Sequence, residues 1–149
     1  MDAVGTEEDQ RYLRLLADFE NFKRRTGHER EGVRLEGRRA ALVPILAALD
    51  SLERALASGS TDPKFYEGVA AAHRQFVAAL REAGAEPVDC VGRPFDPAIH
   101  EAVATVPAED VEPGTVVGEE RRGWRLGSEV LRPAQVVVAT SPGTPGLWR

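Results

Sequence analysis

Residues 42–56 read LVPILAALDSLERAL, and leucine recurs there every seven residues, at Leu42, Leu49 and Leu56. The same repeat begins upstream at Leu35. An apolar side chain at every seventh position is typical of a helix that pairs with another helix along one stripe. This stretch therefore predicts a helix whose apolar stripe needs a partner surface.

A second group of apolar residues lies upstream, at Tyr12, Leu15, Phe19 and Phe22. Their intervals of three, four and three residues are the spacing of a coiled coil. One helix over residues 7–57 would be about 75 Å long at roughly 1.5 Å per residue. A helix of that length cannot cover its own stripe, so the expected partner is a second copy of the chain. The predicted dimerisation residues are Tyr12, Leu15, Phe19, Phe22, Leu42, Leu49 and Leu56.

The segment 23–44 is predicted to be the weakest part of this helix. Gly27, Gly32 and Gly37 interrupt it, and each costs about 1 kcal/mol relative to alanine in a helix interior. Pro44 lacks a backbone donor and is expected to bend or break the helix. The paired helix is therefore expected to unwind here before the rest of the protein does.

Start and stop signals delimit the two predicted helices. Thr6 precedes three acidic residues and is the predicted N-cap of the first helix. The pair Asp62-Pro63 starts the second helix, and Gly84 stops it. The segments 38–57 and 63–83 are predicted to form an antiparallel helix pair, which two copies would complete as a four-helix bundle.

Composition changes near residue 85, where Val, Pro and Gly replace the Ala, Leu, Arg and Glu of the first half. The second half predicts a compact antiparallel sheet or a small barrel of short strands. Candidate strands lie at 86–91, 102–106, 115–118, 121–126 and 130–139. The fold class is therefore α+β, and the predicted units are a tail over 1–6, paired helices over 7–85, a β domain over 86–139 and a flexible tail over 140–149.

Composition also argues against several classes of function. The 149 residues include 19 Lys and Arg and 24 Asp and Glu, and a net charge of −5 argues against a dedicated nucleic-acid binder. No apolar run approaches the roughly 18 residues of a membrane span, and the first residues do not form a signal peptide. Cys90 is the only cysteine and fits a reducing compartment, so we expect a cytoplasmic protein.

No catalytic, cofactor-binding or metal-binding group of residues is recognisable. The phosphate-binding glycine motifs are absent, and His28, His73 and His100 lie far apart without ligands at metal spacing. The preferred interpretations are a packed helix residue for His73, a structural hydrogen bond for His100 and a buried or idle thiol for Cys90. We therefore expect no enzyme activity, no cofactor and no metal.

Residues 23–39 contain seven Lys and Arg and three Glu, which leaves a local net charge of +4. One interpretation is a solvated helix face with charge pairs one turn apart. Another is a docking stripe for an acidic partner. A nucleic-acid-binding surface is the least favoured of the three interpretations, because aromatic residues are not interleaved with the basic ones.

Five motifs, in order along residues 10–139, resemble the GrpE family, the nucleotide exchange factors of the DnaK chaperone. They are DFENFKRRT at 18–26, LVPIL at 42–46, DSLERAL at 50–56, FDPAIHEAV at 95–103, and GW at 123–124 with LRPAQVVV at 131–138. The resemblance implies a parallel homodimer with a long paired helix, a four-helix bundle and one β-rich wing per protomer.

The resemblance also implies a function by binding alone. The protein would bind the ATPase domain of DnaK, hold its nucleotide cleft open and accelerate ADP release, with a heat-labile rod acting as a thermosensor. The alternative is a diverged GrpE-like coiled-coil scaffold or adaptor without exchange activity. In neither case do we expect a cofactor, a metal, a nucleic acid or a membrane as partner.

The resemblance assigns roles to single residues. The residues implied to contact DnaK are Lys23, Arg30, Arg34, Glu120, Glu129 and Val138; Arg30 and Arg34 stand in for a basic position now occupied by Gly32. The residues implied to be structural are Pro44, Gly68, Phe95, Asp96, Pro97, His100, Gly123 and Arg132.

Overall fold

The helical half and the β half predicted from composition are both present in a computed structural model, which describes residues 3–143. The chain divides into two compact units, Met1–Ala40 and Ala41–Arg149. The α+β class is confirmed. The elements, in chain order, are α1 (Ala3–Ala57), α2 (Pro63–Glu82), β1 (Ala85–Pro87), β2 (His100–Pro107), β3 (Val116–Arg121), β4 (Trp124–Leu126), β5 (Glu129–Arg132) and β6 (Ala134–Thr140). Residues 144–149 of the predicted C-terminal tail lie outside the described residues.

Helix α1 differs from its prediction at two points. It begins at Ala3, so Thr6 lies within the helix and is not its N-cap. A threonine caps a helix only where the chain before it leaves the helical conformation, and here the backbone stays helical. The helix also continues through Pro44, so the expected break does not occur. Burial of Leu42 and Leu46 on either side of Pro44 offsets the lost backbone hydrogen bond.

Helix α2 begins and ends as its sequence signals predict. The Asp62 Oδ1 atom accepts hydrogen bonds from the backbone N–H groups of Lys64 (3.0 Å) and Phe65 (3.4 Å). Pro63 follows as the first helical residue. After the helix, Gly84 adopts φ +86°, which favours glycine, and its N–H donates to the Arg81 carbonyl at 2.8 Å.

The β half forms two three-stranded sheets. One has the order β1-β4-β5 and is antiparallel throughout. The other has the order β2-β6-β3, with β6 antiparallel to β3 but parallel to β2. The expectation of a purely antiparallel sheet is therefore wrong. Parallel neighbours need a long crossover, and β3, β4 and β5 all lie in the connection between β2 and β6.

Two predicted strands are divided and one is shortened. Pro133 separates β5 from β6 within the stretch 130–139, because proline has no N–H for a sheet. The stretch 121–126 contains the end of β3 and all of β4. The stretch 86–91 keeps strand geometry only to Pro87.

The β6 strand supplies most of the core of its sheet. Val136 and Val138 are buried together with Cys90, Val116 and Ala134, and Phe95 packs against this cluster. Trp124, on β4, is fully buried. A central strand with alternate valines buried is the arrangement expected for a sheet covered on one face.

Gly123 allows two segments of the β domain to approach closely. A Cβ atom at this position would lie 2.5 Å from the backbone nitrogen of Ala134 and 2.9 Å from its Cα. Both neighbours are backbone atoms and cannot turn away. The Gly123 carbonyl also accepts a hydrogen bond from the Val88 N–H at 2.9 Å, which ties the loop after β1 to this point.

We expect Gly123→Ala to lower the free energy of unfolding by about 2 kcal/mol or more, because a methyl group would push backbone segments apart. Urea unfolding followed by circular dichroism measures the change. Gly118→Ala is the matched control, since its Cβ would lie 3.6 Å from the Val137 Cβ, an ordinary contact. Equal losses in the two variants would contradict this explanation.

Candidate functional site

The joint between α1 and the β domain is built on one carboxylate, that of Asp50. Its Oδ2 and Oδ1 atoms accept hydrogen bonds from Nη1 and Nη2 of Arg132 at 2.7 and 2.8 Å. Nε of Arg121 donates to Oδ2 at 2.9 Å. Asp50 is only 7% exposed. Two guanidinium groups, from the ends of β3 and β5, therefore meet one buried acid on a helix.

Arg132 extends this joint to the turn between β3 and β4. Its Nε and Nη2 atoms donate to the Arg122 carbonyl at 3.1 and 2.8 Å. One side chain thus satisfies a carboxylate and a backbone carbonyl at once. Because bidentate guanidinium contacts restrict orientation, the joint sets the position of the β domain against residues 41–57.

The surroundings of Asp50 act on its pKa in opposite directions. Burial raises the pKa of this carboxyl, but the hydrogen bonds and positive charges of Arg132 and Arg121 outweigh burial and hold the pKa below its ordinary value. The acid is therefore ionised at neutral pH. An ionised acid in this setting keeps both arginines paired.

The same helical segment also holds α2. Glu53 lies one turn after Asp50, and its Oε1 atom is 3.2 Å from Nε2 of His73 on α2. Both side chains are half-buried. The DSLERAL motif thus provides one acid toward the β domain and another toward α2. His73 is a packed helix residue, as predicted, with a polar partner in addition.

The motif at 95–103 folds into a turn closed by His100, which is 4% exposed. The Asp96 N–H donates to Nδ1 of His100 at 3.0 Å, and the His100 N–H donates to the Asp96 carbonyl at 2.8 Å. Asp96 Oδ1 also accepts from the Ala98 N–H at 2.9 Å, and the Phe95 ring lies 5.9 Å from the imidazole. These contacts give His100 the structural hydrogen bonds predicted for it, with Pro97 between the two ends of the turn.

Cys90 is buried, and its surroundings keep the thiol protonated. Burial and a hydrogen bond from Sγ to Oε2 of Glu119 at 2.9 Å raise the pKa of the thiol to about 12. A thiol that stays protonated is a poor nucleophile and metal ligand. The interpretation of a buried thiol is confirmed. Among residues 3–143, no group of three His, Cys, Asp or Glu residues is placed to hold a metal ion.

The residues implied to contact a partner differ in accessibility. Lys23, Arg30 and Arg34 are exposed on α1, and Glu120 and Glu129 are exposed on β3 and β5. Val138 differs from these. It is 8% exposed and lies in the core cluster of the β domain, so direct contact through its side chain does not fit this position.

The predicted dimerisation residues fall into two groups. Leu42 and Leu49 are buried by their own chain, and Leu56 is half-buried. The upstream residues are instead more than half exposed: Tyr12, Leu15, Phe19 and Phe22. The uncovered part of the stripe therefore lies in the first unit of the chain.

The basic run on α1 carries short-range contacts along its own helix. Nη2 of Arg24 donates to Oδ1 of Asn21 at 2.8 Å, and Arg25 lies 3.8 Å from Glu29 and over the Phe22 ring at 6.0 Å. These contacts fit a solvated helix face. They also leave the run accessible to an acidic partner.

Sequence reasoning passed over the residue at the centre of the joint. Asp50 stands directly after a buried leucine of the heptad repeat, and an acid beside such a stripe is a signal for a buried partner.

Gly68, which the resemblance implies to be structural, shows the opposite outcome. No atom lies within 4 Å of a Cβ built there, so nothing in its own chain requires glycine. Neither α1 nor α2, in the part of the chain that the structure describes, contains an apolar stretch that could span a bilayer.

Comparison with known proteins gives a consistent match. Residues 4–140 match the family model described as GrpE. Protein GrpE of Geobacillus kaustophilus (strain HTA426) is 41% identical over 93% of this chain and 67% of its own length. Protein GrpE of Parageobacillus thermoglucosidasius is 39% identical, over 93% of this chain and 63% of its own length. The chain thus spans about two thirds of these relatives.

We expect Asp50→Asn to lower the free energy of unfolding by about 3 kcal/mol at neutral pH, because two arginines lose a buried charged partner. The folded-state pKa lies below the ordinary value of 3.8, so the contribution is complete above that value and is lost as pH falls through the folded-state pKa. The free energies of unfolding of the native protein and the variant, measured in urea at a series of pH values, should therefore become equal in acid.

The matched control for this variant is Asp89→Asn, which breaks the exposed pair of Asp89 with Arg93. An exposed pair adds little to stability, so this change should leave unfolding nearly unaltered. A difference between Asp50→Asn and the native protein that stays constant into strong acid would refute the assigned role of the charge.

Proposed function

The chain belongs to the GrpE family, and from this premise we propose that it is an adenyl-nucleotide exchange factor for a DnaK-type chaperone. The single observation that carries the proposal is the family match over residues 4–140. Membership supports a co-chaperone role in the DnaK system. A cytoplasmic location goes with this role.

The proposed mechanism is a shift of population in the partner, with no bond made or broken. The protein binds the open, ADP-free form of the ATPase domain more tightly than the closed form, and by linkage it weakens ADP binding by the same factor. Lys23, Arg30 and Arg34 on α1 and the exposed face near Glu120 and Glu129 are the proposed contacts.

A factor that holds a cleft open must itself resist deformation. The Asp50 joint supplies this property between the helices and the β domain, because one buried acid binds two arginines from different strands. If the β domain could turn freely on α1, binding energy would be lost in ordering it. The joint therefore keeps the β domain rigid against the helices when the protein binds its partner.

We further propose that the protein acts as a parallel homodimer. The exposed upstream stripe has coiled-coil spacing, and an aromatic or leucine side chain left in water at each position favours pairing with an identical stripe. The residues that form it are Tyr12, Leu15, Phe19 and Phe22. Pairing there also supports a long helix that would be marginal alone.

A GrpE-like scaffold or adaptor without exchange activity is the alternative. It is favoured by the negative charge of Glu120 and Glu129, where the resemblance leads us to expect apolar and basic residues, and by the buried position of Val138. Both functions need the same dimer and the same joint. Only nucleotide release distinguishes them.

We expect the native protein to accelerate release of a fluorescent ADP analogue from its cognate DnaK and Val136→Asp to abolish this. Val136 is fully buried in the central strand, and an unpaired carboxylate there costs several kcal/mol. The matched control is Val91→Asp, which places the same charge at an exposed site of the β domain. Sedimentation checks that each variant remains dimeric.

If native protein binds DnaK without changing the release rate, the scaffold function replaces exchange. If Val136→Asp stays dimeric and exchanges at the native rate, the β domain is not the element that opens the cleft. Each result thus rejects one stated part of the proposal.

We propose that the glycines of the rod set the temperature at which exchange declines. No neighbouring atom lies within 4 Å of a Cβ at Gly27, Gly32 or Gly37, so alanine fits each position. The triple change to alanine should stabilise the helix by about 3 kcal/mol per chain. Circular dichroism should show the first melting step at higher temperature, and exchange should persist to that temperature.

The matched control is Gly68→Ala, a helical glycine of α2 that is equally free of neighbours. It should leave the first melting step in place. If the triple variant melts and exchanges like the native protein, the thermosensor in this form is rejected.

A further inference from the structure

A groove of about 470 Å³ lies between α2 and the turn that joins β3 to β4. Three arginines line it: Arg74 and Arg81 from α2, and Arg122 from the turn. Val77 and Ala78 give the lining an apolar portion between the arginines of α2. The chain has a net charge of −5, but the three guanidinium groups make the lining of this groove positive.

Two of these arginines have no acidic partner in the part of the chain that the structure describes. Arg74 and Arg81 are exposed and make no ion pair with residues 3–143. Arg122 lies 3.5 Å from Glu119, and Glu82 is the acidic residue in the lining. The side chains of Arg74 and Arg81 are therefore available to an external anion.

The groove is preformed on the side of the turn. The Arg122 carbonyl accepts two hydrogen bonds from Arg132, which is itself held by both oxygens of Asp50. The buried joint thus fixes the backbone that carries the third arginine. A ligand that binds here would not have to order this segment, and preorganisation favours affinity.

A partner that covered only the aromatic flank of α2 would leave the groove open. At 100° per residue, Arg74 and Phe76 point about 160° apart around α2. Phe65 lies on the same flank as Phe76, and both are exposed. An apolar partner would cover the aromatic flank, so the arginines remain on the opposite flank.

The spacing of the arginines selects an elongated ligand. Arg74 and Arg81 are seven residues apart on the helix, a rise of about 10 Å. An extended peptide in the polyproline II conformation covers about 9 Å in one three-residue turn, and side chains three residues apart lie on the same face of it. A small anion would reach one end of the groove only, whereas a peptide with two carboxylates about three residues apart would reach both.

We propose that this groove binds an extended acidic peptide segment of a partner protein, with carboxylates on Arg74 and Arg81 and an apolar side chain against Val77 and Ala78. The charge of the lining and its apolar middle both fit such a segment. This site is separate from the contacts proposed for nucleotide exchange. Its test contains no DnaK, so the two proposals succeed or fail independently.

The test is fluorescence anisotropy with a labelled extended peptide that carries two glutamates about three residues apart and a leucine between them. The native protein should bind it, and added salt should weaken binding because exposed charges are screened. Arg74→Gln combined with Arg81→Gln should weaken binding about tenfold. The same peptide with glutamine in place of glutamate should not bind.

Arg11→Gln combined with Arg14→Gln is the matched control, since it removes the same charge from the other unit of the chain and should leave binding unchanged. Equal loss in both double variants would mean general attraction and overturn the site. Absence of binding to the native protein would overturn it as well. Displacement of the peptide by inorganic phosphate at constant ionic strength would assign a small-anion site instead.

Discussion

The buried carboxylate of Asp50 links the helical and β parts of the second unit of this protein. Four nitrogen atoms of two arginines lie within 2.9 Å of its oxygens, and one of these arginines also donates to the carbonyl of Arg122 in the turn. A buried acid is costly unless charge and hydrogen bonds both compensate it. Here they do, and removal of the carboxylate would leave both arginines without their acidic partner. The orientation of the β domain, the position of the turn and the shape of the groove beside α2 all depend on this cluster.

The apolar stripe of α1 serves two purposes along its length. Near the joint, Leu42, Leu46 and Leu49 are buried by the chain itself. Farther upstream, Tyr12 and Phe19 lie in water and need another surface. The same heptad pattern therefore describes both an internal core and a proposed pairing face, and the period alone does not separate them. This division also explains how the helix passes Pro44 without a break, because that residue lies where the stripe is already packed.

Charge is arranged differently in the two proposed binding surfaces. The basic run of α1 is exposed and partly paired along its own helix, which suits rapid electrostatic encounter with an acidic surface. The groove on α2 has fewer charges, an apolar middle and a backbone fixed by the joint. Such a site suits a short segment of defined spacing. Glu120 and Glu129 give the exposed strands of the β domain the opposite sign.

Local signals in the chain were enough for the features that depend on neighbouring residues. The Asp62-Pro63 start and Gly84 stop of α2 were predicted correctly, because capping is decided within a few residues. The α+β class also followed from composition. The parallel pairing of β2 with β6, however, depends on a crossover through three other strands. The role of Asp50 depends on arginines 71 and 82 residues away along the chain. Contacts over such distances arise only when whole elements pack, and only the tertiary structure decided them.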